Sequence, residues 1–367
     1  PSGYLALCTD NLSDPEIAKS TAHFEPILYT GDGADTKAIA ASDFVMDFAW
    51  IKNVNVGKDG VLYDRVRGTG KRLRSDSRGN VLDLTSDGNQ VEFTTPGINV
   101  GSTTTEYEEQ VNTSSDTYIA WNWKAGGGTT VTNTDGTNID SEVSANTTAG
   151  FSICTYTGSG SSGDSFGHGL GVAPDYVVVK QRSGGGSTTD WAVFNSVSGG
   201  DKYLAWNTGT ALADNIDRWN DTPPSATVVT VGDSTWTNDS STSYVAYCFA
   251  NIEGYSKVGS YEGNSSSDGT FIHTGFRPAL VIVKDISAAT NWIMHDDKRP
   301  GYNVHDGSLR VDGAAGEESN NEVDFLSNGF KWRGGDYPNW DQATNYSGDT
   351  YVYYAVAASP FKYSNAR

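Results

Sequence analysis

The sequence predicts an all-β fold: three tandem antiparallel β-sandwich repeats, jelly-roll-like, of about 105 residues each. Three observations predict it. The composition suits strands and turns, the apolar runs are short and β-branched, and one template recurs three times. Of 367 residues, 42 are Gly and only 2 are Met, while 10 Trp and 19 Tyr raise the aromatic share to 11%. Ser, Thr, Asn and Asp crowd the spaces between apolar runs, which excludes helix bundles and coiled coils. A 37% hydrophobic content over this length is enough for a sizeable core. Lys plus Arg number 25 against 45 Asp plus Glu, a formal charge of −20. A surface that acidic repels phosphate backbones and anionic bilayers, so nucleic-acid binding is excluded as the main activity. No apolar stretch reaches transmembrane length, and no membrane insertion is expected.

The elements follow in chain order. Residues 1–22 read as a lead-in from an upstream domain, with Pro1 a processed terminus or a fragment boundary. Ser13–Ala18 offer a Ser N-cap and one helical turn. Repeat one spans 23–125, a Gly/Thr/Asn-rich linker 126–150, repeat two 151–256 and repeat three 257–367. Each repeat opens on a Tyr anchor: Tyr29-Thr30-Gly31, Tyr156-Thr157-Gly158 and Tyr261-Glu262-Gly263. A β-rich run ending in Lys52, Lys180 or Lys284 follows, at offsets of 23, 24 and 23 from the Tyr. Pro174 and Pro278 open the second and third of these runs, and Met46 stands there in the first.

An apolar pair then closes on Asp64, Asn195 or His295-Asp296. The last strand begins at Tyr118, Tyr244 or Tyr351, offsets of 89, 88 and 90 from the anchor. Its near-continuous apolar and aromatic character suits a central strand covered on both faces. The linker has almost no apolar residue and reads as an extended connection or an exposed loop pair. The short joint 251–258 fixes repeats two and three against each other and leaves repeat one looser.

Candidate chemistry is sparse. His295-Asp296-Asp297 is the most enzyme-like triplet, but Asp64 and Asn195 share its place in the template, which points to a structural Asx at a strand end. Glu317 and Glu318 read as solvated loop carboxylates, and Gly158–Gly163 lacks the helix and basic residue of a phosphate cradle. Asp32, Asp35, Asp233, Asp239 and Asp268 sit in turns that could offer oxygens to structural Ca²⁺; turn chemistry accounts for them, and no metal or other cofactor is implied. Cys8, Cys154 and Cys248 read as small buried thiols, with a Cys154–Cys248 pair open only if their strands are neighbours. Trp50, Trp121, Trp123 and Trp191 belong to strand patterns and the core. Trp206, Trp219, Trp236, Trp332 and Trp340 lie near turns rich in Asn, Asp and Thr. Exposed indoles beside amides and carboxylates would stack on the apolar face of a sugar, so these five are the candidate ligand-binding residues. The structural reading is that they cover sandwich ends or subunit contacts.

Several strings resemble a known group of proteins. They are Gly3–Leu12, Gly167-His168-Gly169-Leu170-Gly171-Val172-Ala173-Pro174, Tyr244–Ala250, Glu253-Gly254-Tyr255-Ser256-Lys257, Thr274-Gly275-Phe276-Arg277-Pro278 and Pro360–Arg367. Together they resemble a repeated β domain of unknown function that follows a SPRY-like, lectin-type domain in virion proteins of marine tailed phages. The first repeat departs from that pattern at Met46. The resemblance implies a non-enzymatic virion protein, a tail fibre or appendage that binds host-surface glycan or protein. It carries over no catalytic residues. Its expected partners are other virion proteins and a host receptor, its expected assembly a homotrimer, and its expected place the extracellular virion surface. Rival expectations are a capsid decoration or head-fibre protein, a polysaccharide depolymerase using Asp296 or Glu318, and a secreted bacterial adhesin.

Overall fold

The computed structural model describes residues 9–40, 43–85, 91–101, 111–184, 188–299, 302–333 and 343–364. The first stretch forms β1 (Phe24–Thr30), β2 (Lys37–Ile39), β3 (Phe48–Asn53), β4 (Val61–Asp64), β5 (Lys71–Arg74), β6 (Leu82–Asp83), β7 (Val91–Phe93), β8 (Ile98–Val100) and β9 (Thr117–Trp123). The second forms β10 (Val131–Asn133), β11 (Asn138–Ile139), β12 (Ser141–Asn146), β13 (Phe151–Thr157), β14 (Ser165–Gly167), β15 (Tyr176–Ser183), β16 (Ala192–Asn195), β17 (Lys202–Ala205), β18 (Ala213–Asp214), the short α1 (Ile216–Trp219), β19 (Val228–Thr230) and β20 (Ser243–Phe249). The third forms β21 (Ser256–Glu262), β22 (Phe271–His273), β23 (Phe276–Asp285), β24 (Ile293–Asp296), β25 (His305–Arg310), β26 (Glu318–Leu326), β27 (Gly329–Trp332) and β28 (Thr350–Pro360). The chain is all-β, and among the described residues its sheets are antiparallel except where β11 lies parallel to β14.

Three large sheets share one strand order. They contain β1-β9-β3-β4-β5, β13-β20-β15-β16-β17 and β21-β28-β23-β24-β25. In each, the aromatic last strand inserts between the first strand and the Lys-ending strand. That is the central position its sequence predicts, and β9, β20 and β28 are buried almost throughout. Two smaller sheets, β2-β8-β7 and β11-β14-β19, cover the first and second large sheets. In the third, β26, β27 and β22 extend the large sheet itself. Pro278 falls inside β23, where the register slips on both sides of it, so a bulge absorbs the missing donor.

Period-two alternation sends each central strand into two cores. Tyr118 and Ala120 face the core under β2-β8-β7 with Tyr29, Ile51, Tyr63 and Ile98. Ile119, Trp121 and Trp123 face the opposite way, into a core shared by all three large sheets. Likewise Tyr244, Ala246 and Cys248 face the second sandwich, while Val245, Tyr247 and Phe249 join the shared centre. There the Phe48 ring lies 4.6 Å from Tyr247, Trp50 lies 4.8 Å from Trp206, and Tyr176 stacks on Tyr354 at 5.7 Å. Removing one such aromatic from a packed core costs about 3–5 kcal/mol.

Three sequence expectations are corrected here. Residues 126–150 do not form a bare connection, because they carry β10, β11 and β12, and Ile139 and Val143 bury in the second sandwich. Two well-spaced apolar residues, one in β11 and one in β12, are enough to seat this segment. The first sheet is not the loose member, since Phe48, Trp50 and Trp121 anchor it in the shared centre. Ser13–Ala18 form no helical turn; short 3₁₀ turns lie on either side at Thr9–Asn11 and Ser20–Ala22, and Asp14 instead accepts from Lys362 Nζ.

Candidate functional site

The Tyr anchors build one turn three times. Tyr29, Tyr156 and Tyr261 donate their hydroxyls to the carbonyls of Val111, Thr237 and Thr344 at 2.6, 2.7 and 2.6 Å. Each ring stacks on the first Tyr of the last strand, at 5.2, 5.2 and 5.0 Å. Asn112, Asn238 and Asn345 are fully buried, and each Oδ1 accepts a backbone N–H of the anchor loop, from Asp32, Ser159 and Asn264. The anchor glycines are forced by close approach. A Cβ on Gly31, Gly158 or Gly263 would lie 2.1–2.3 Å from the carbonyl oxygen of Thr113, Asp239 or Tyr346.

The Lys-ending strands build the contacts between sheets. Lys52, Lys180 and Lys284 are buried, and each ammonium group bonds a carbonyl of its own loop and one of a neighbouring sheet's loop. Lys180 Nζ donates to Thr189 O at 2.7 Å and to Arg78 O of the first stretch at 2.8 Å. Lys284 Nζ donates to Thr290 O at 2.8 Å and to Gly209 O of the second stretch at 3.3 Å. Lys52 Nζ donates to Lys58 O at 3.1 Å and to Gly313 O of the third stretch at 2.7 Å. Two residues beyond each Lys, the carbonyls of Arg182, Ile286 and Val54 accept the backbone N–H of Val81, Leu212 and Glu317 in the same neighbouring loops.

Side chains reinforce each junction. Trp191 Nε1 donates to Arg74 O at 3.0 Å and Trp292 Nε1 to Ala205 O at 2.9 Å, and at the third junction Ser75 Oγ donates to Val311 O at 2.8 Å. Burial pushes Lys180 down to about 7 and Lys284 to about 8. Lys52 is also lowered by burial to about 8, with Asp76, Asp59 and Asp312 pulling the other way. Asp76 beside it is pushed up to about 8, first by burial and then by its hydrogen bond to Asp59.

The strand-end Asx positions are structural. Asp64 Oδ1 accepts from the Arg67 N–H at 2.7 Å, Asn195 Oδ1 from Ser198 at 2.9 Å, and Asp296 Oδ1 from Lys298 at 3.0 Å. Tyr247 OH also donates to Asp64 Oδ2 at 2.8 Å, and Trp121 Nε1 to Asp296 Oδ2 at 3.3 Å, so both carboxylates tie neighbouring sheets together. Arg299 Nε holds Asp296 Oδ2 at 2.8 Å. Glu317 and Glu318 are not free loop carboxylates, because Arg299 Nη1 bonds Glu317 at 2.7 Å and Arg310 grips both oxygens of Glu318 at 2.8 and 2.9 Å. Asp32 accepts from Ala34 N–H and Asn112 Nδ2, and Asp268 pairs with Lys331 and Arg333.

The five candidate ligand-binding indoles part company. Trp206, Trp219 and Trp332 are 3%, 1% and 1% exposed, which removes them as stacking platforms. Trp206 lies in the shared centre, Trp219 against Phe194, and Trp332 beside Tyr261 and His295. Trp236 is half-buried, with the Arg218 guanidinium 4.0 Å from its ring centre and Tyr203 edge-on at 5.6 Å. Trp340 lies outside the described residues, as does Cys8. Cys154 and Cys248 are buried free thiols on neighbouring strands β13 and β20, two register positions apart.

Sequence reasoning marked the three lysines only as pattern. A Lys closing an otherwise apolar run at one repeated offset was the signal for their burial. Open space among the described residues includes a cleft of about 710 Å³ between β21 and β22. Another, of about 640 Å³, lies between residues 12–16, the 251–257 joint and the end of β28.

No curated protein and no solved structure matches the sequence. One family model, described as a domain of unknown function (DUF7483), matches residues 19–360, and this single match runs across all three large sheets. The chain therefore belongs to the DUF7483 family.

Proposed function

We propose that one module of about 105 residues is present three times and that its copies close into a ring, a trimer within one chain. The observation that carries this reading is the set of three lysine contacts. The second stretch holds the first, the third holds the second, and the first holds the third, each through the same Lys position. Head-to-tail contacts of this kind form a closed ring when their rotation completes a circle.

The role that fits such a body is the one the sequence resemblance implies: a non-enzymatic virion protein, a tail fibre or other appendage that contacts host-surface glycan or protein. Three similar outer faces on a rigid centre multiply weak contacts without a tight pocket. The net charge of −20 keeps such a body soluble. On this reading the threefold body arises from one chain and takes the place of the expected homotrimer. Light scattering of the purified chain should then give 39.2 kDa rather than three times that mass. Antibody against the chain should label virion tails. Uniform head labelling would favour a capsid decoration role, and new reducing ends in host polysaccharide would replace this reading with an enzyme.

A further inference from the structure

The open sides of the three sandwiches are treated differently by the chain. In the second, residues 138–146 bridge the opening, with a cleft of about 550 Å³ left between Asn138–Glu142 and Thr155–Ser159. β11 runs beside β14 of the small sheet, and β12 then pairs antiparallel with β13 of the large sheet, from Ser141 opposite Tyr156 to Asn146 opposite Phe151. Ile139 and Val143 of this segment are buried in the core it closes. In the first, Pro26 sits in β1. His23 O and the Gly31 N–H bond toward β9, so alternation turns Pro26 to the outer edge, where its missing N–H discourages further pairing.

In the third, the corresponding opening is the cleft of about 710 Å³. Among the described residues β21 pairs with β28 and β22 with β27, and the cleft lies between these two edges. Tyr255 O and the Gly263 N–H bond toward β28, so Val258, Ser260 and Glu262 turn their backbone groups to the cleft. The Val258 N–H is taken by Asn251 Oδ1 and Glu262 O by Thr270 Oγ1, and Ser260 faces the cleft between them. Phe271 of β22 stands 43% exposed at the same cleft. The joint before β21 is too short to supply a bridging segment of the β11–β12 kind.

We propose that this cleft receives an extended strand from a partner protein, added to β21 as β12 is added to β13. The proposal rests on the equivalence of the three sheets and not on the attachment role. That equivalence also sets the strand's chemistry. Tyr261 matches Tyr156, so the place of Val143 falls opposite Gly259, above the Tyr353 ring that would meet any Cβ there. A β-branched apolar residue fits that place. The place of Ala145, two residues on, falls opposite Lys257, whose Nζ spans to His273 O at one end of the cleft. A carboxylate there meets Lys257. The recognised pattern is therefore a strand with Val or Ile followed two residues later by Asp or Glu.

The test uses the full chain and a synthetic peptide of residues 137–148 carrying Ala145→Asp. Binding is expected by fluorescence anisotropy. The unchanged peptide should bind more weakly, and a peptide with Val143→Asp should not bind. Ser260→Pro in the protein places a proline on the outer edge, as Pro26 already stands in the first sheet, and should lower affinity about tenfold while the thermal melt is kept. A bound complex should show peptide amides protected from exchange together with Ser260. Absence of binding, or binding indifferent to Ser260→Pro, would overturn the proposal and leave the ring untouched. Self-association of the chain that Ser260→Pro abolishes would overturn it in favour of a second copy.

Discussion

The junction between the second and first sheets and the junction between the first and third use one latch in two electrostatic settings. Lys180 is held by two carbonyls, with Asp190 the acid acting on it and Arg78 opposing. Lys52 is held the same way but lies among Asp76, Asp59 and Asp312. The difference teaches that the contact is fixed by backbone geometry, while its response to pH is set by the loop that happens to face it. A buried amine can donate to both carbonyls in either protonation state, and neighbouring carboxyls tilt the balance.

The comparison can be broken most forcefully by removing the latches. Lys180→Met and Lys52→Met each leave two carbonyls without their lysine donor, and each should destabilise the protein by about 2–4 kcal/mol in chemical denaturation. Both variants should unfold in one transition followed alike by fluorescence and circular dichroism. A variant that melts in two steps would show that the sheets stand independently.

The next effect in size is pH dependence, in which Lys180 and Asp76 should pull in opposite directions. Lys180 is lowered from its ordinary value to about 7, so its contribution is complete above the unfolded value and lost as pH falls through about 7. Between pH 9 and 6 this amounts to about 2 kcal/mol, and Lys180→Met should flatten it. Asp76 is raised to about 8, so its contribution is complete below about 4 and lost as pH rises through about 8. Asp76→Asn should therefore gain about 1 kcal/mol on the native protein between pH 7 and 9. Equal slopes in the two variants would contradict the two settings.

The smallest effect separates the reinforcing side chains. Ser75→Ala removes one hydroxyl donor to Val311 O, at the place where the other junctions use the indoles of Trp191 and Trp292. It should cost about 1 kcal/mol. Trp191→Phe, which also loses ring volume, should cost more in the same denaturation series.

Much of the fold is legible in local pattern because strands, turns and anchors obey short-range rules. The Tyr-x-Gly anchors, the Lys-ending runs and the aromatic last strands all fall where their spacing places them. What is illegible follows from tertiary placement. Trp206 sits beside a polar turn in sequence, and nothing local reveals that this turn faces the shared centre and Trp50. The polar run 126–150 hides two strand residues, Ile139 and Val143, whose burial depends on the edges they meet. The lysines were visible as letters, but their role needed the neighbouring loops, which lie 102, 75 and 261 residues away.

The separation between Lys52 and Gly313 has a further consequence for synthesis. The inner face of the first sheet, with Phe48, Trp50 and Trp121, leaves the ribosome before the second and third sheets do. Its final cover arrives only when residues near 313 emerge. At about 5–20 residues per second, an aromatic surface waits incompletely covered for some tens of seconds. A nascent chain of this design has to be shielded from its neighbours until the third sheet is made.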